Sequence, residues 1–229
     1  LILATGSRPS IPPIPGVQDN EDCIDSTGAL EIEQVPEKLV VVGGGVIGIE
    51  LANTFANFGS EVTVLEAMPK ILPMMDEDQS KQLANYLKED GITIHTDAKV
   101  LEVKKEGGKN LVLVDLEGKE EDKVLVAVGR RTETEALHLD EAGLENDRGR
   151  ITINEYLETS LPDVYAVGDC VGQIMLAHVA STMGEIAAEN AMGAKKAFSE
   201  KTNPSGVYTN PEIAGVGFTE DKLKEKGVD

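Results

Sequence analysis

Three glycines, Gly43, Gly45 and Gly48, follow the short apolar run Leu39–Val40–Val41–Val42 in the spacing G-x-G-x-x-G. In that spacing the first glycine permits a tight turn and the second lets the backbone approach a pyrophosphate. The third permits close packing of a helix on its strand. The N-terminus of the helix that follows offers unpaired N–H groups and the positive end of its dipole to phosphates. Glu66 closes the next apolar strand, Glu61–Val62–Thr63–Val64–Leu65, roughly 20 residues beyond the turn. A carboxylate there can take the adenosine ribose hydroxyls of NAD and repel the 2′-phosphate of NADP. The residues after it, Ala67–Met68–Pro69–Lys70, hold one lysine and no arginine cluster, so the pattern favours NAD. The alternative for Glu66 is a solvated strand-end carboxylate.

Further residues stand where strands end. Glu50 interrupts the apolar stretch Ile47–Gly48–Ile49–Glu50–Leu51 and needs a partner. It either meets the nicotinamide end of a cofactor or faces solvent. Gly129 follows Val124–Val128, where a glycine lets a ligand come close to the backbone. Arg130 and Arg131 beside it serve phosphates or pair with an acidic surface. Thr5–Gly6 and Gly168–Asp169 each close an apolar strand, at the carboxyl edge where α/β sheets bind ligands, and each also fits a plain turn. His178 stands alone before a helix of small residues, as a packing or surface residue more than a base, so no catalytic residue is assigned. Cys23 and Cys170 match no redox or zinc spacing and are expected to be unpaired structural thiols; no metal site is expected.

These residues need a scaffold, and 229 residues with 41% apolar content suffice for one large domain or two modest ones. A formal charge of -20, from 21 basic and 41 acidic residues, disfavours nucleic acid and anionic membranes as partners. No apolar run matches a membrane span or a secretory leader, and a cytoplasmic location is expected. Leu1–Gly6 is expected to be a buried central strand whose neighbours lie outside the sequence, which suggests a piece of a longer protein. The proline-rich stretch Ser7–Gly16 predicts extended loop. A strand over Leu39–Val42 leads to a helix with Ile47, Leu51, Phe55 and Phe58 on one face, ended by Gly59. A second helix from Asp76, with Leu83, Tyr86 and Leu87 inward, precedes the strand Ile92–His95. Val100–Val103, Leu111–Leu116 and Lys123–Val128 predict an antiparallel meander that returns to the sheet. Later come strands at Ile151–Ile153 and Val164–Val167, a helix from about Ala177 to Met192, and a charged helix-like end over Thr219–Asp229.

Eight blocks together resemble the flavin-dependent pyridine nucleotide–disulfide oxidoreductases, in that family's order and over nearly the whole chain. They are Ala4–Pro9, Pro12–Gly16, Asp25–Leu30, Val41–Glu50, Val126–Arg131, Val164–Asp169, Met175–His178 and Tyr208–Ala214. The resemblance implies an α/β fold: a Rossmann-like NAD-binding domain, a parallel sheet with an antiparallel β-meander, plus part of a FAD-binding domain of the same type. The expected divisions are 1–33 and 151–203 for FAD-domain segments, 34–150 for the NAD domain, and 204–229 for the start of a dimer-interface domain. The resemblance places NAD on Gly43, Gly45, Val46, Ile47 and Gly48, with Glu50 by the nicotinamide, Glu66 on the ribose, Val100 at the adenine and Gly129 lining the cleft. It places FAD against Thr5, Gly6 and Ser7, with Asp169 taking a ribityl hydroxyl and Met175, Leu176, Ala177 and His178 passing the flavin end. Val46 stands where some relatives put a tyrosine over the flavin.

Gly48 and Glu66 together look like the NAD-using lipoamide branch of the family. The implied activity is oxidation of protein-bound dihydrolipoamide, with electrons passing through a disulfide and FAD to NAD. The implied partners are a lipoyl-bearing protein of a 2-oxoacid dehydrogenase or glycine cleavage complex, and a second copy in a homodimer. Two departures bear on the substrate: His178 is followed by Val179–Ala180–Ser181–Thr182–Met183 rather than lysine and acidic residues, and Arg131 by Thr132–Glu133 rather than Pro–Asn. The family's redox disulfide and first glycine turn are expected upstream of Leu1, and its His–Glu pair downstream of Tyr208, leaving the chain alone inactive. An NADH oxidase, a coenzyme A disulfide reductase or a non-catalytic dinucleotide-binding module are the competing readings.

Overall fold

The structure, a computed structural model, describes residues 1–115, 119–121 and 123–228. The chain begins with β1 (Ile2–Leu3), β2 (Ser7–Pro9), β3 (Cys23–Ile24), α1 (Ser26–Leu30), β4 (Lys38–Val42), α2 (Val46–Asn57), β5 (Glu61–Leu65), α3 (Glu77–Glu89) and β6 (Thr93–His95). It continues with β7 (Val100–Glu106), β8 (Lys109–Val114), β9 (Lys119–Glu121), β10 (Lys123–Val126), β11 (Arg130–Thr132), β12 (Asn146–Asp147), β13 (Arg150–Ile151) and β14 (Tyr165–Ala166). After these come α4 (Ala177–Ala191), β15 (Pro204–Val207), β16 (Ile213–Val216) and α5 (Glu220–Glu225). Two compact units result: Leu1–Arg8 with Arg130–Ser205, and Pro9–Gly129 with Gly206–Asp229. The proline-rich stretch and the strand after it pack within the larger unit.

The larger unit is built on a five-stranded parallel sheet in the order β3-β10-β4-β5-β6. The unbroken apolar run of β4 follows from burial on both faces. Leu39 and Val41 pack with Ile49, Ala52 and Phe55 of α2 and with Leu83 and Leu87 of α3. Val40 and Val42 point the other way, into a cluster with Val100, Val103, Val112 and Val114 of the meander β7-β8-β9. Each such side chain stabilises the fold by about 1.5–3 kcal/mol relative to exposure.

Several expectations are corrected. Of the expected face of α2, Phe55 is buried and Leu51 packs half-buried against the core, but Gly48, Ile49, Ala52 and Asn53 complete the buried face rather than Ile47 and Phe58. Phe58 is 65% exposed and meets Phe55 edge-on, with ring centroids 6.3 Å apart. Tyr86 is 40% exposed rather than inward, because Leu83 and Leu87 already complete the stripe of α3. The third meander strand is β9, while Lys123–Val126 pairs parallel with β4 and β3 inside the main sheet. Leu116, expected in the second meander strand, lies outside the described residues, as does Asp229. Both β3 and α1 went unexpected: two residues carry no periodicity, and α1 is a single capped turn, with the Asp25 carboxylate accepting from Thr27 and Gly28 N–H at 2.9 Å.

The proline-rich stretch is pinned rather than loose. Val103 N–H donates to Pro15 C=O at 2.9 Å, and Gly16 lies so close that a Cβ there would stand 1.8 Å from Val103 O. Next along, Asp22 pairs with Lys105 at 2.9 Å and with Lys123. Hydrogen bonds from Lys123 and Lys105 hold the Asp22 carboxyl down at about 2. The Cys23 thiol beside it is pushed up to about 11 by burial and by the Asp22 charge, which keeps it protonated and unreactive.

The smaller unit has its own core, in which α4 lays Val179, Met183, Ile186 and Ala187 against Leu157, Tyr165, Ala166 and Cys170. Its strands are short pairs: β1 with β14, β2 with β11, and β12 with β13. Pairing of β13 stops at Ile151, short of the expected Ile153. In this chain the first strand is exposed, Leu1 at 75% and Ile2 at 39%, with β14 as the one partner strand among the described residues. Among the described residues, no helix is long and apolar enough to cross a membrane.

Two outcomes follow. Gly16, at φ +79° against Val103, and Gly59, at φ +102° in open space, separate overlap from backbone strain. Gly59→Ala should cost about 1 kcal/mol and Gly16→Ala about 3 kcal/mol or more, read as denaturant midpoints. The Asp22 contribution, present in full above its ordinary value of 3.8, should be lost as pH falls towards 2, tracked by its carboxyl resonance alongside unfolding.

Candidate functional site

The glycine turn joins β4 to α2, and each of its glycines answers to a different constraint. Gly43, at φ +108°, carries a backbone that other residues rarely adopt, and a Cβ there would stand 2.5 Å from Ala127 O. At Gly48 a Cβ would stand 2.1 Å from Gly43 O, so the first turn of α2 rests directly on the loop. Gly45 differs. Its φ of −73° suits any residue, and a Cβ there would meet nothing within 4 Å. Nothing among the described residues demands glycine at this place. An open space at a helix N-terminus that no side chain caps is what close approach of a phosphate needs. The residues present fit a dinucleotide pyrophosphate.

Glu66 ends β5 beside this turn and is buried, at 8% exposure, which excludes the solvated alternative. One carboxylate oxygen accepts the Gly44 N–H at 2.6 Å and the other accepts the Met68 N–H at 2.7 Å. These charge-assisted bonds tie the end of β5 to the turn after β4. Gly44 C=O in turn accepts the Leu72 N–H at 2.8 Å. A Cβ at Gly44 would crowd Ile71 and Glu66 at 3.0–3.1 Å. Gly44 is thus a position on which the turn's structure depends and which the G-x-G-x-x-G spacing passes over; only its place opposite a strand-end acid signals it.

The remaining residues of this unit divide. Val46 and Ile47 open α2 and are half-buried at the turn. Gly129, at φ +114°, has open space where a Cβ would sit and accepts the Ser10 N–H at 2.9 Å. Its strand β10 neighbours β4, so Gly43 and Gly129 share the carboxyl edge of the sheet. Val100 sends its side chain into the meander core. Glu50 is half-buried on α2 and has found a partner within the protein: its Oε1 accepts the Tyr208 N–H at 2.8 Å.

In the smaller unit the structure brings three distant residues together. Ser7 Oγ donates to Asp169 Oδ2 at 2.6 Å, and Arg130 donates to Ser7 through Nε to Oγ and Nη2 to the carbonyl, both at 2.7 Å. Arg131 pairs with Glu135 at 3.5 Å. Both arginines therefore meet partners within the protein, and Arg130 braces the Ser7–Asp169 pair. Gly6, at φ +75°, has open space around it and accepts the Glu133 N–H, while Thr5 is exposed. Met175 and Leu176 lead into α4, whose N-terminus no side chain caps, and Ala177 and His178 are exposed on its first turn. His178 Nε2 lies 2.8 Å from Pro204 O. A carboxylate held by a hydroxyl, beside glycine at a strand end and an uncapped helix, fits a polyhydroxyl and phosphate ligand such as the ribityl chain of a flavin nucleotide.

The sequence pattern of the family described as pyridine nucleotide-disulphide oxidoreductase matches residues 1–184. A dihydrolipoyl dehydrogenase of Thermus scotoductus is 45% identical over 234 residues, covering 99% of this chain and 50% of that protein. A mercuric reductase of Staphylococcus aureus is 38% identical over 234 residues, covering all of this chain and 43% of that protein. Among solved structures, the Cu(II) complex of the HOCl-induced flavoprotein disulfide reductase RclA of Escherichia coli superposes with a TM-score of 0.92 at 33% identity. That match covers 100% of this chain and 54% of that one. The chain spans about half the length of the curated relatives it matches.

If Glu66 organises the turn, Glu66→Ala should cost about 3 kcal/mol in a denaturation experiment, since two backbone N–H groups lose a charged acceptor. Glu61→Ala, at the exposed start of the same strand, should change stability by less than about 0.5 kcal/mol.

Proposed function

Because this chain belongs to the pyridine nucleotide-disulphide oxidoreductase family, we propose that its larger unit binds NAD and its smaller unit supplies part of a FAD site. The observation that carries the NAD reading is Gly45, a glycine that neither its own φ nor its neighbours require, at the uncapped start of α2. There the pyrophosphate takes the N–H groups of the turn between Gly43 and Gly48, with Val46 and Ile47 alongside. Glu66, already fixed by Gly44 and Met68, turns its remaining lone pairs to the adenosine ribose hydroxyls. Val100 contributes at the adenine end, and Glu50 and Gly129 line the nicotinamide end. In the smaller unit, Asp169 accepts from the ribityl chain while Thr5, Gly6 and Ser7, and then Met175, Leu176, Ala177 and His178, pass the flavin.

Flavin and nicotinamide, when bound, supply the two-electron transfer; the protein's part is to hold and orient them. For the whole protein the reading is a dihydrolipoyl dehydrogenase, supported by the 45% identity to a relative of that name. Its substrate is then a lipoyl-bearing protein of a 2-oxoacid dehydrogenase or glycine cleavage complex, and it works as a homodimer. A relative named mercuric reductase matches over the same residues, so these residues alone do not separate lipoamide from other substrates.

Titration with NADH, followed by quenching of its fluorescence, tests the cofactor reading. NADH should bind, and NADPH at least about tenfold more weakly, because its 2′-phosphate meets the Glu66 carboxylate. A folded protein that ignores NADH would refute the assignment. In the same preparation Asp169→Ala should reduce flavin retention, seen as loss of yellow absorbance, with the NADH titration unchanged.

A further inference from the structure

The helix that begins at the glycine turn carries a second polar pair one turn further on. Glu50 and Asn53 are three residues apart on α2 and therefore share a face. Glu50 Oε1 accepts the Tyr208 N–H at 2.8 Å, and Asn53 Oδ1 accepts the Asn210 N–H at 3.2 Å. Residues 208 and 210 lie in the bend just past β15, and both turn their N–H groups to this face of α2. The two helix side chains thus do for this segment what a neighbouring strand does in a sheet. Asn53 is buried, so its amide needs this partner, and Val207 just before the segment is fully buried in the core that α2 also lines. Further along, Asp76 at the start of α3 accepts the Glu220 N–H at 2.8 Å, so the chain beyond this segment is held at a second helix.

We propose that Glu50 and Asn53 form a docking rail through which the nicotinamide end of the dinucleotide site and the segment Tyr208–Asn210 stabilise one another. The inference rests on the reading that Glu50 faces the nicotinamide. Tyr208 occupies Oε1, and among the described residues Oε2 takes no hydrogen bond. The carboxylate can therefore accept the Tyr208 N–H and the carboxamide N–H of a nicotinamide together. With Oε1 engaged, the long side chain is ordered before the cofactor arrives, so less freedom is lost on binding. Linkage makes the effect reciprocal: whatever the docked segment adds to NADH affinity, NADH adds to docking. Asn53 is a positioning residue, acting through the segment on Glu50.

Amide hydrogen exchange by NMR on the intact protein, with and without saturating NADH, tests this. The Tyr208 and Asn210 amides should slow about fivefold more than those of Glu61 and Leu223, which bond elsewhere in the same unit. General stabilisation by a ligand would slow all four alike. In Asn53→Ala the NADH dissociation constant should rise about fivefold and the extra protection of Tyr208 should shrink. If NADH binds the unsubstituted protein and the four amides respond equally, the rail is refuted while the NAD reading stands. If NADH does not bind at all, that reading fails and the rail with it. Should Asn53→Ala not fold, the exchange comparison in the unsubstituted protein decides alone.

Discussion

The buried carboxylate of Glu66 is the interaction on which the candidate site depends. It sits where two adjacent parallel strands end, and it accepts one N–H from the loop after its neighbour and one from its own. A buried charge without such donors would be strongly unfavourable, so the turn and the acid require each other. Through Gly44 the bond sets where α2 begins, and with it which way the free N–H groups of that helix point. It also leaves a negative charge beside the turn, which bears on the choice between the two nicotinamide cofactors.

The remainder of the larger unit holds that edge of the sheet still. A strand of consecutive apolar residues is stable only if both faces are covered, and β4 has helices on one side and the valine-rich meander on the other. Ladders with β5 and β10 on either side then place Leu65, Val42 and Val126 at a common edge, so Gly43, Glu66 and Gly129 come together without long loops. In the smaller unit, short strand pairs gather the polar residues. Strand β1 lies beside β14, which brings Ser7 to Asp169, and Arg130 arrives on the strand paired with Ser7's own.

Much of this was legible in the sequence where the physics is local. Turn sterics explain Gly43 and Gly48, and the strand–turn–helix–strand–acid order explains why Glu66 stood out. The helices over Val46–Asn57 and Ala177–Ala191 announced themselves by spacing and composition. What was not legible depends on distant neighbours. Gly44 matters because Glu66 and Ile71 press on it, and Glu50 because Tyr208 arrives from far along the chain. Phe58 and Tyr86 fit helical spacing but face solvent, because other side chains already fill the contact with the sheet. The strand Cys23–Ile24 exists because β10 offers it an edge, and two residues carry no pattern of their own. Arg130 looked equally suited to phosphate or carboxylate until its partners Ser7 and Asp169 were in place.

On this reading the turn from Gly43 to Gly48 receives a dinucleotide pyrophosphate while Glu66 keeps its hold on Gly44. Following backbone amide resonances during titration with NADH and then NADPH tests it at the residues concerned. NADH should move the amides of Gly45, Val46 and Ile47 most, with Gly44 retaining the shift of a strongly hydrogen-bonded N–H, and NADPH should do so only at much higher concentration. Shifts centred elsewhere in the unit, or equal responses to the two cofactors, would contradict it.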